Sequence, residues 1–364
     1  MSRLQPSAAS TAIDLVVPDL FDSDGGIARI GRALSLACAH WAEARDATLT
    51  VHALMDEGGR RKLAYLPEPH DYRVYDGVRP RLARTLLERA WRRPRARRVA
   101  VFAHPNLAVV GLLLPPAVKT AVLAHGIDVW TPLRGERRLA SRRADALWAV
   151  SHDTARHLVT TQGARAERVR VIPNALDPLW PLPETPTRGD RYLLTVSRLH
   201  PEHRYKGIDL TIEALARMPV RPPLVVAGHG PDRPWLAALA AARGVVVTFV
   251  GRVDDDALAA LYRDALAFVL PSAGEGFGLV YLEAMAFALP CIAAAAGGAP
   301  EVVLHERTGV VITPGDTEGL ARAIARVISD EGRVLGLAGR ARAEAEFLFP
   351  TYQARVHAAL DALF

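Results

Sequence analysis

The chain has 364 residues, 50% of them apolar and 23% charged, which is length for about two domains and material for two buried cores. Charge is spread along the chain and not gathered into long tails, so global disorder is excluded. Cys38 and Cys291 are the only cysteines and lie far apart, which excludes a disulfide framework and a cysteine-based zinc site and fits a reducing cytoplasm. The net charge of +6 is almost all arginine, because the only lysines are Lys62, Lys119 and Lys206.

Residues 1–12 are small and polar and carry no apolar stretch of the kind a secretory signal needs. From there, short apolar runs alternate with helical patterns. IDLVVP, TLTVHAL, VAVFAH, TAVLAHG, ALWAVS and VRVIP read as strands, with amphipathic helices at Ile27 to Ala42 and, capped by Ser151, at His152 to Thr161. Near-continuous apolar strands with helices between them predict parallel sheets covered on both faces, an α/β, doubly wound arrangement. Val99 to Val118 has no charged residue and the length of a membrane span, but His104, Pro105, Asn106 and Pro115-Pro116 interrupt it. It reads as a buried strand, a turn and a short apolar helix.

Between Arg79 and Arg98 stand nine arginines and one acid, Glu88, with Leu82, Leu86 and Ala90 spaced as one helical stripe beside Trp91. A basic amphipathic helix of this kind suits an anionic membrane surface or a lipid-phosphate acceptor, and equally a solvated helix face. No aromatic-interleaved basic motif accompanies it, so no nucleic-acid partner is expected.

Periodicity stops at PNALDPLWPLPETPTRGD, residues 173–190, whose five prolines mark a linker. A second strand series follows: YLLTVS, PLVVAG, VVVTFVG, ALAFVLP, PCIAAAA and GVVIT. The helices include Ile208 to Arg217, Ala257 to Arg263 capped by Asp254, and Leu279 to Ala288; the chain then ends in helices from Thr317, the last at Thr351 to Phe364. The expected domains are residues 1–180 and 181–349, with 350–364 packing back on the first. Two doubly wound domains put a ligand cleft at the carboxyl ends of their strands.

Four places carry chemistry. Gly25-Gly26 follow Asp24 between the first strand and a helix, where a tight turn and a helix N-terminus favour an anion. His125 ends a buried strand and precedes Gly126, at the sheet edge where such folds bind ligands. Arg198 leaves YLLTVS, with Lys206 eight residues on, a guanidinium fork and a point charge suited to two phosphates. Most specific is SAGEGFGL, Ser272 to Leu279, followed by Glu283. A glycine-rich turn opens a helix whose free N–H groups can cradle a diphosphate, and Glu275 and Glu283, roughly 10 Å apart along the helix, can grip opposite ends of a nucleotide sugar. Each has a plainer reading as well: a strand-to-helix turn, a histidine satisfied by backbone, surface charge. Asp22-Ser23-Asp24 and Asp254-Asp255-Asp256 imitate a metal-binding D-x-D, but the second reads better as helix-capping acids, and no metal or other cofactor is expected.

With these residues in view, the chain resembles glycosyltransferase family 4, the retaining group with the GT-B fold of two Rossmann-like domains facing a central cleft. The resemblance rests on DGG at Asp24, HGID at His125, VIPNALD at Val171, VSRL…YKG at Arg198 and Lys206, VAGHGP at Val226, FVGRV at Phe249, EGFGLVYLE at Glu275 to Glu283 and GGAPEVV at Gly297. It implies that Gly25 and Gly26 approach the donor phosphate and that His125 contacts the transferred sugar. It implies that Arg198 and Lys206 neutralise the diphosphate and that Glu275 holds sugar hydroxyls. Backbone groups of Gly276, Phe277, Gly278 and Leu279 would bind sugar and phosphate, Glu283 the ribose, and Arg252 and Val253 the base. The family often has glycine where Ala175 stands, and many members place the lysine nearer the arginine. The insert HPEHRY resembles exopolysaccharide and mannosyl-transfer members, which points towards GDP-mannose. The expected activity is transfer of a hexose from a nucleotide sugar to a glycan or lipid-linked acceptor in envelope or exopolysaccharide synthesis, metal-independent, in the cytoplasm or peripherally on the inner face of the plasma membrane. A sugar-nucleotide 2-epimerase shares the fold and is separated by its product. A catalytically dead nucleotide-sugar-binding partner would not need the full set of His125, Arg198, Lys206, Glu275 and Glu283.

Overall fold

A computed structural model describes residues 11–23, 25–57, 62–92, 96–185 and 189–364. The chain divides into two units, one running to Asp177 and including Phe349–Phe364, the other Pro178–Leu348.

The first unit is built from β1 (Ala12–Val17), α1 (Gly26–Glu43), β2 (Thr48–Ala53), β3 (Asp71–Val74), α2 (Arg79–Arg92), β4 (Arg98–Phe102), β5 (Val118–Ala124), α3 (Ile127–Trp130), α4 (Gly135–Arg143), β6 (Ala146–Ala149), α5 (His152–Thr160) and β7 (Val169–Val171). Its seven strands are all parallel, in the order β3-β2-β1-β4-β5-β6-β7. β1 and β4 are buried along their whole length because helices cover both faces, which is why they read as unbroken apolar runs. Val16, Phe102, Val122, Leu82 and Leu86 share one core; each such side chain contributes about 1.5–3 kcal/mol on burial.

Two features depart from the sequence reading. β3 was not anticipated: it is a four-residue edge strand, half exposed, without an apolar pattern. The apolar segment after β4 forms the expected short helix, of 3-10 type, over Ala108–Leu113, and leaves Leu113 exposed. The proline-rich run is not a bare tether, because Ala175 and Leu176 are buried, and Trp180 is buried with its ring edge-on to Tyr262.

The second unit runs β8 (Tyr192–Val196), α6 (Ile208–Ala216), β9 (Leu224–Ala227), α7 (Arg233–Arg243), β10 (Val247–Gly251), α8 (Asp255–Asp264), β11 (Ala265–Leu270), α9 (Leu279–Ala286), β12 (Cys291–Ala294), α10 (Ala299–Val302), β13 (Gly309–Ile312), α11 (Thr317–Val327) and α12 (Asp330–Glu346). Its six parallel strands are ordered β10-β9-β8-β11-β12-β13, so the order reverses between β8 and β11. That switch point is where a doubly wound sheet opens a crevice at its carboxyl edge. Both units are thus α/β and doubly wound, as expected. The last helix, α13 (Phe349–Asp361), lies against α1: Trp41 Nε1 donates to Asp361 Oδ1 at 2.8 Å, and His357 Nε2 donates to the Ala37 carbonyl at 2.9 Å.

Candidate donor site

The glycine-rich turn leaves β11 at Pro271 and is fixed from two sides. The N–H of Ala273 donates to the Tyr205 carbonyl at 2.7 Å, and the N–H of Gly298 donates to the Glu275 carbonyl at 2.7 Å. Gly207, at φ 75°, packs so closely on this turn that a Cβ would stand 2.9 Å from the Pro271 carbonyl oxygen. Gly278 caps α9 at φ 95°, a left-handed conformation that favours glycine, and a Cβ there would meet the Tyr281 ring at 2.4 Å. No side chain caps α9 and no acid stands in its first turn, so its leading N–H groups are available to an anion. Phe277 turns inward, edge-on to Phe347, which leaves its backbone, not its ring, for a ligand.

Lys206 closes this turn. It ends a 3-10 segment, Pro201–Lys206, and its ammonium is hydrogen-bonded to Glu275, with both side chains largely buried. Two groups expected to touch different parts of one ligand are therefore paired with each other. Arg198 is exposed and belongs to no ion pair among the described residues. It shares an electrostatic neighbourhood with Lys206: burial, then the charges of Arg198 and Lys206, push the His203 pKa down. Arg198, His200, His203, Arg204 and Trp235 line a shallow depression beside the turn, and Arg204 is held there by a two-pronged ion pair to Asp232 at 2.7 and 2.9 Å.

Glu283 lies about one turn into α9 and is only 5% exposed. Its Oε2 accepts from the buried Tyr262 hydroxyl at 3.0 Å. It is anchored within the unit and is not a rim residue. Arg252 and Val253 follow β10, which stands two strands from β8 and three from β11 along the sheet. Asp254 accepts from Ala257 N–H at 2.8 Å and caps α8, as expected.

In the first unit, Asp24 lies outside the described residues. Gly25 is the N-cap of α1 with φ −71°, and Gly26 opens the helix. Gly25 therefore does not use glycine's left-handed freedom. The approach to α1 is held instead by the buried Asp56, whose carboxylate accepts from Leu20 N–H at 3.0 Å and Phe21 N–H at 3.1 Å. Asp22 accepts from Glu57 N–H at 2.5 Å and so clasps the loop that follows β2. Among the described residues no group of three His, Cys, Asp or Glu could hold a metal ion.

His125 follows β5. Its N–H donates to Asp128 Oδ1 at 3.0 Å, and its Nε2 donates to the Ala103 carbonyl at 2.7 Å. The side chain is thus partly satisfied by backbone. The sequence reading missed its neighbour, His104, at the exit of β4, although the signal is the same: a histidine straight after a buried strand.

The family described as glycosyl transferases group 1 matches residues 183–345, and glycosyltransferase family 4 matches residues 31–179. A glycogen synthase of Mycobacterium tuberculosis is 32% identical over 243 residues, 63% of this chain and 58% of that protein. A GDP-mannose-dependent alpha-(1-6)-phosphatidylinositol monomannoside mannosyltransferase of Mycobacterium tuberculosis is 36% identical over 278 residues, 67% of this chain and 71% of that protein. The chain spans a little over half the length of the glycogen synthase and of several inositol-phosphate glycosyltransferases it also matches. Sucrose-phosphate synthase from Thermosynechococcus elongatus has the same fold, with a TM-score of 0.78 at 22% identity over 97% of this chain and 99% of that one.

Proposed function

The chain belongs to glycosyltransferase family 4, and on that premise we propose that it transfers a hexose, with retention, from a nucleotide sugar to a glycan or lipid-linked acceptor. The observation that carries this reading is the turn from Ser272 to Leu279: uncapped helix N–H groups, the Lys206–Glu275 pair at its mouth, and Glu283 one turn into the helix. Together these offer hydrogen-bond donors and positive charge to a diphosphate, and carboxylates to hydroxyls on either side of it.

In the proposed reaction the acceptor hydroxyl attacks the anomeric carbon from the face the nucleotide leaves. The carbon–oxygen bond to the β-phosphate breaks, the new glycosidic bond forms, and the departing phosphate oxygen takes the hydroxyl proton. Arg198, Lys206 and the N-terminus of α9 stabilise charge growing on the diphosphate, which is electrostatic catalysis. Glu275 orients sugar hydroxyls, Glu283 the ribose, and Arg252 and Val253 the base. The roles of Gly25, Gly26 and His125 in holding the donor belong to the same reading. No metal ion takes part.

GDP-mannose is the donor we favour. The mannosyltransferase relative supports it, as does the insert between Arg198 and Lys206. We place the protein in the cytoplasm, peripherally at the inner membrane face, through the outer side of α2, where Trp91 is 69% exposed and Arg84 and Arg92 face solvent around Glu88. Among the described residues no helix is long and apolar enough to cross a membrane.

The test is a panel of GDP-, UDP-, ADP- and dTDP-sugars with a lipid extract or oligosaccharide acceptor. A new α-glycoside with release of nucleoside diphosphate is expected. An isomerised nucleotide sugar without glycoside formation would establish the epimerase instead. Donor binding without turnover would establish a non-catalytic partner.

A further inference from the structure

In the first unit the strand order β1-β4-β5 places the exit of β4 between the start of α1 and His125, and His104 occupies that exit. The His104 and His125 rings lie 5.9 Å apart with planes 25° from parallel. Their hydrogen bonds set their tautomers. His125 Nε2 donates to the Ala103 carbonyl at 2.7 Å, so in the neutral ring Nδ1 carries the lone pair. His104 Nδ1 accepts from the Asn106 N–H at 3.1 Å, so in the neutral ring Nε2 carries the proton. One ring offers an acceptor and the other a donor. Neither remaining nitrogen is among the sealed, unbonded polar atoms of the described residues.

We propose that His104 and His125 form one hydroxyl-binding pair, His125 accepting a carbohydrate O–H at Nδ1 and His104 donating from Nε2–H to a hydroxyl oxygen of the same sugar. The identification of the ligand as carbohydrate rests on the glycosyl-transfer reading; the pairing of the rings does not. Burial lowers the His104 pKa first; Asp128 of α3 opposes this, while His125 and Arg137 of α4 add to it. His104 is therefore uncharged at neutral pH and keeps the single proton that the pair requires. His104 specifies which hydroxyl pattern is held, because a sugar whose stereochemistry carries one of the two hydroxyls out of reach leaves one nitrogen unmatched.

Two-bond proton–nitrogen NMR of the full chain, labelled at histidine, reads the rings directly. At neutral pH both rings should show the Nε2–H tautomer, and methyl α-D-mannopyranoside should shift His104 Nε2 and His125 Nδ1 together. A His104 protonated at Nδ1, or a sugar that moves neither or only one of the two nitrogens, overturns the pair. In kinetics, His104→Asn keeps an acceptor for the Asn106 N–H and removes the outer donor. It should raise the KM of one sugar substrate about 3- to 10-fold. His104→Gln, whose amide places a donor near the lost Nε2–H, should recover most of that loss. Equal losses in both variants, with unchanged melting temperature, make His104 a packing residue and overturn the proposal. If the wild type transfers no sugar from any nucleotide donor, the glycosyl-transfer reading fails and the NMR result still decides the pair.

Discussion

Arg89 of α2 reaches inward to Asp14 of β1, Nε to Oδ1 at 2.7 Å, and so an arginine in the last turn of the basic helix is tied into the core of the first unit. Arg89 also donates to Thr50 Oγ1 at 2.6 Å, Arg98 pairs with the other oxygen of Asp14, and His52 Nε2 lies 3.1 Å from Oδ1. Asp14 is 1% exposed. Burial alone would raise its pKa, but the hydrogen bond from His52 and the charges of Arg98 and Arg89 reverse this and hold it far below the usual carboxylate range.

Asp14→Asn should therefore leave two guanidinium groups without their anion and destabilise the chain by about 3–5 kcal/mol. The sign with pH follows from the depressed folded pKa. The stability Asp14 supplies is complete above its unfolded pKa near 4 and is lost progressively as pH falls below that towards the folded value. Urea unfolding at several pH values checks both points. A variant that matches the wild type in midpoint at pH 7 would mean that the network is not stabilising.

The same contact changes what is expected at a membrane. Arg89 is not available to lipid, and Arg93 and Arg95 lie outside the described residues. Arg84→Gln with Arg92→Gln should weaken binding to anionic vesicles by about 1 kcal/mol per charge and leave stability within about 0.5 kcal/mol. Arg89→Gln should do the reverse, lowering stability with little effect on vesicle binding. Flotation and thermal melts on the two sets separate the cases. A wild type that never floats with anionic vesicles rejects peripheral binding through α2.

Glu283→Gln and Glu275→Gln should differ in kind. In the proposed reaction Glu283 would grip a part of the donor that changes little, so its loss should raise donor KM on the order of 10- to 100-fold. Tyr262→Phe removes the hydroxyl that holds Glu283 and should raise donor KM in the same direction by less. Glu275→Gln should chiefly lower kcat. Steady-state kinetics on one donor decide the assignment. A kcat loss from Glu283→Gln with a KM rise from Glu275→Gln would reverse the two ends of the donor.

Because Lys206 and Glu275 are hydrogen-bonded to each other, their losses should not add. Lys206→Gln and Glu275→Gln should each reduce kcat, and the double variant should be better than the product of the two by a coupling of about 0.5–3 kcal/mol. Purely additive effects would show that the pair separates once donor is bound.

Transfer should survive EDTA, since in the proposed reaction the charge on the diphosphate would be met by Arg198, Lys206 and the start of α9. Activity that disappears in chelator and returns with Mg²⁺ or Mn²⁺ would require a metal in the reaction.

Much of this protein was legible in the chain. Parallel sheets announce themselves because a strand covered on both faces must be apolar throughout, as VAVF and AFVL are; β3, half exposed at an edge, lacks that signature and went unread. The glycine-rich turn and its helix were legible because glycine at Gly278 is demanded locally, by φ and by the Tyr281 ring three residues on. What only the tertiary structure decided are relationships between residues far apart in sequence. The pairing of Lys206 with Glu275, the anchoring of Glu283 by Tyr262, the inward turn of Arg89 and the stacking of His104 on His125 are all of this kind. Amino-acid type and spacing specify local conformation and which face is apolar. Which buried charge finds which partner depends on strand order, because neighbours in a doubly wound sheet are set by crossovers and not by sequence distance, and β1 takes β4 rather than β3 as its neighbour.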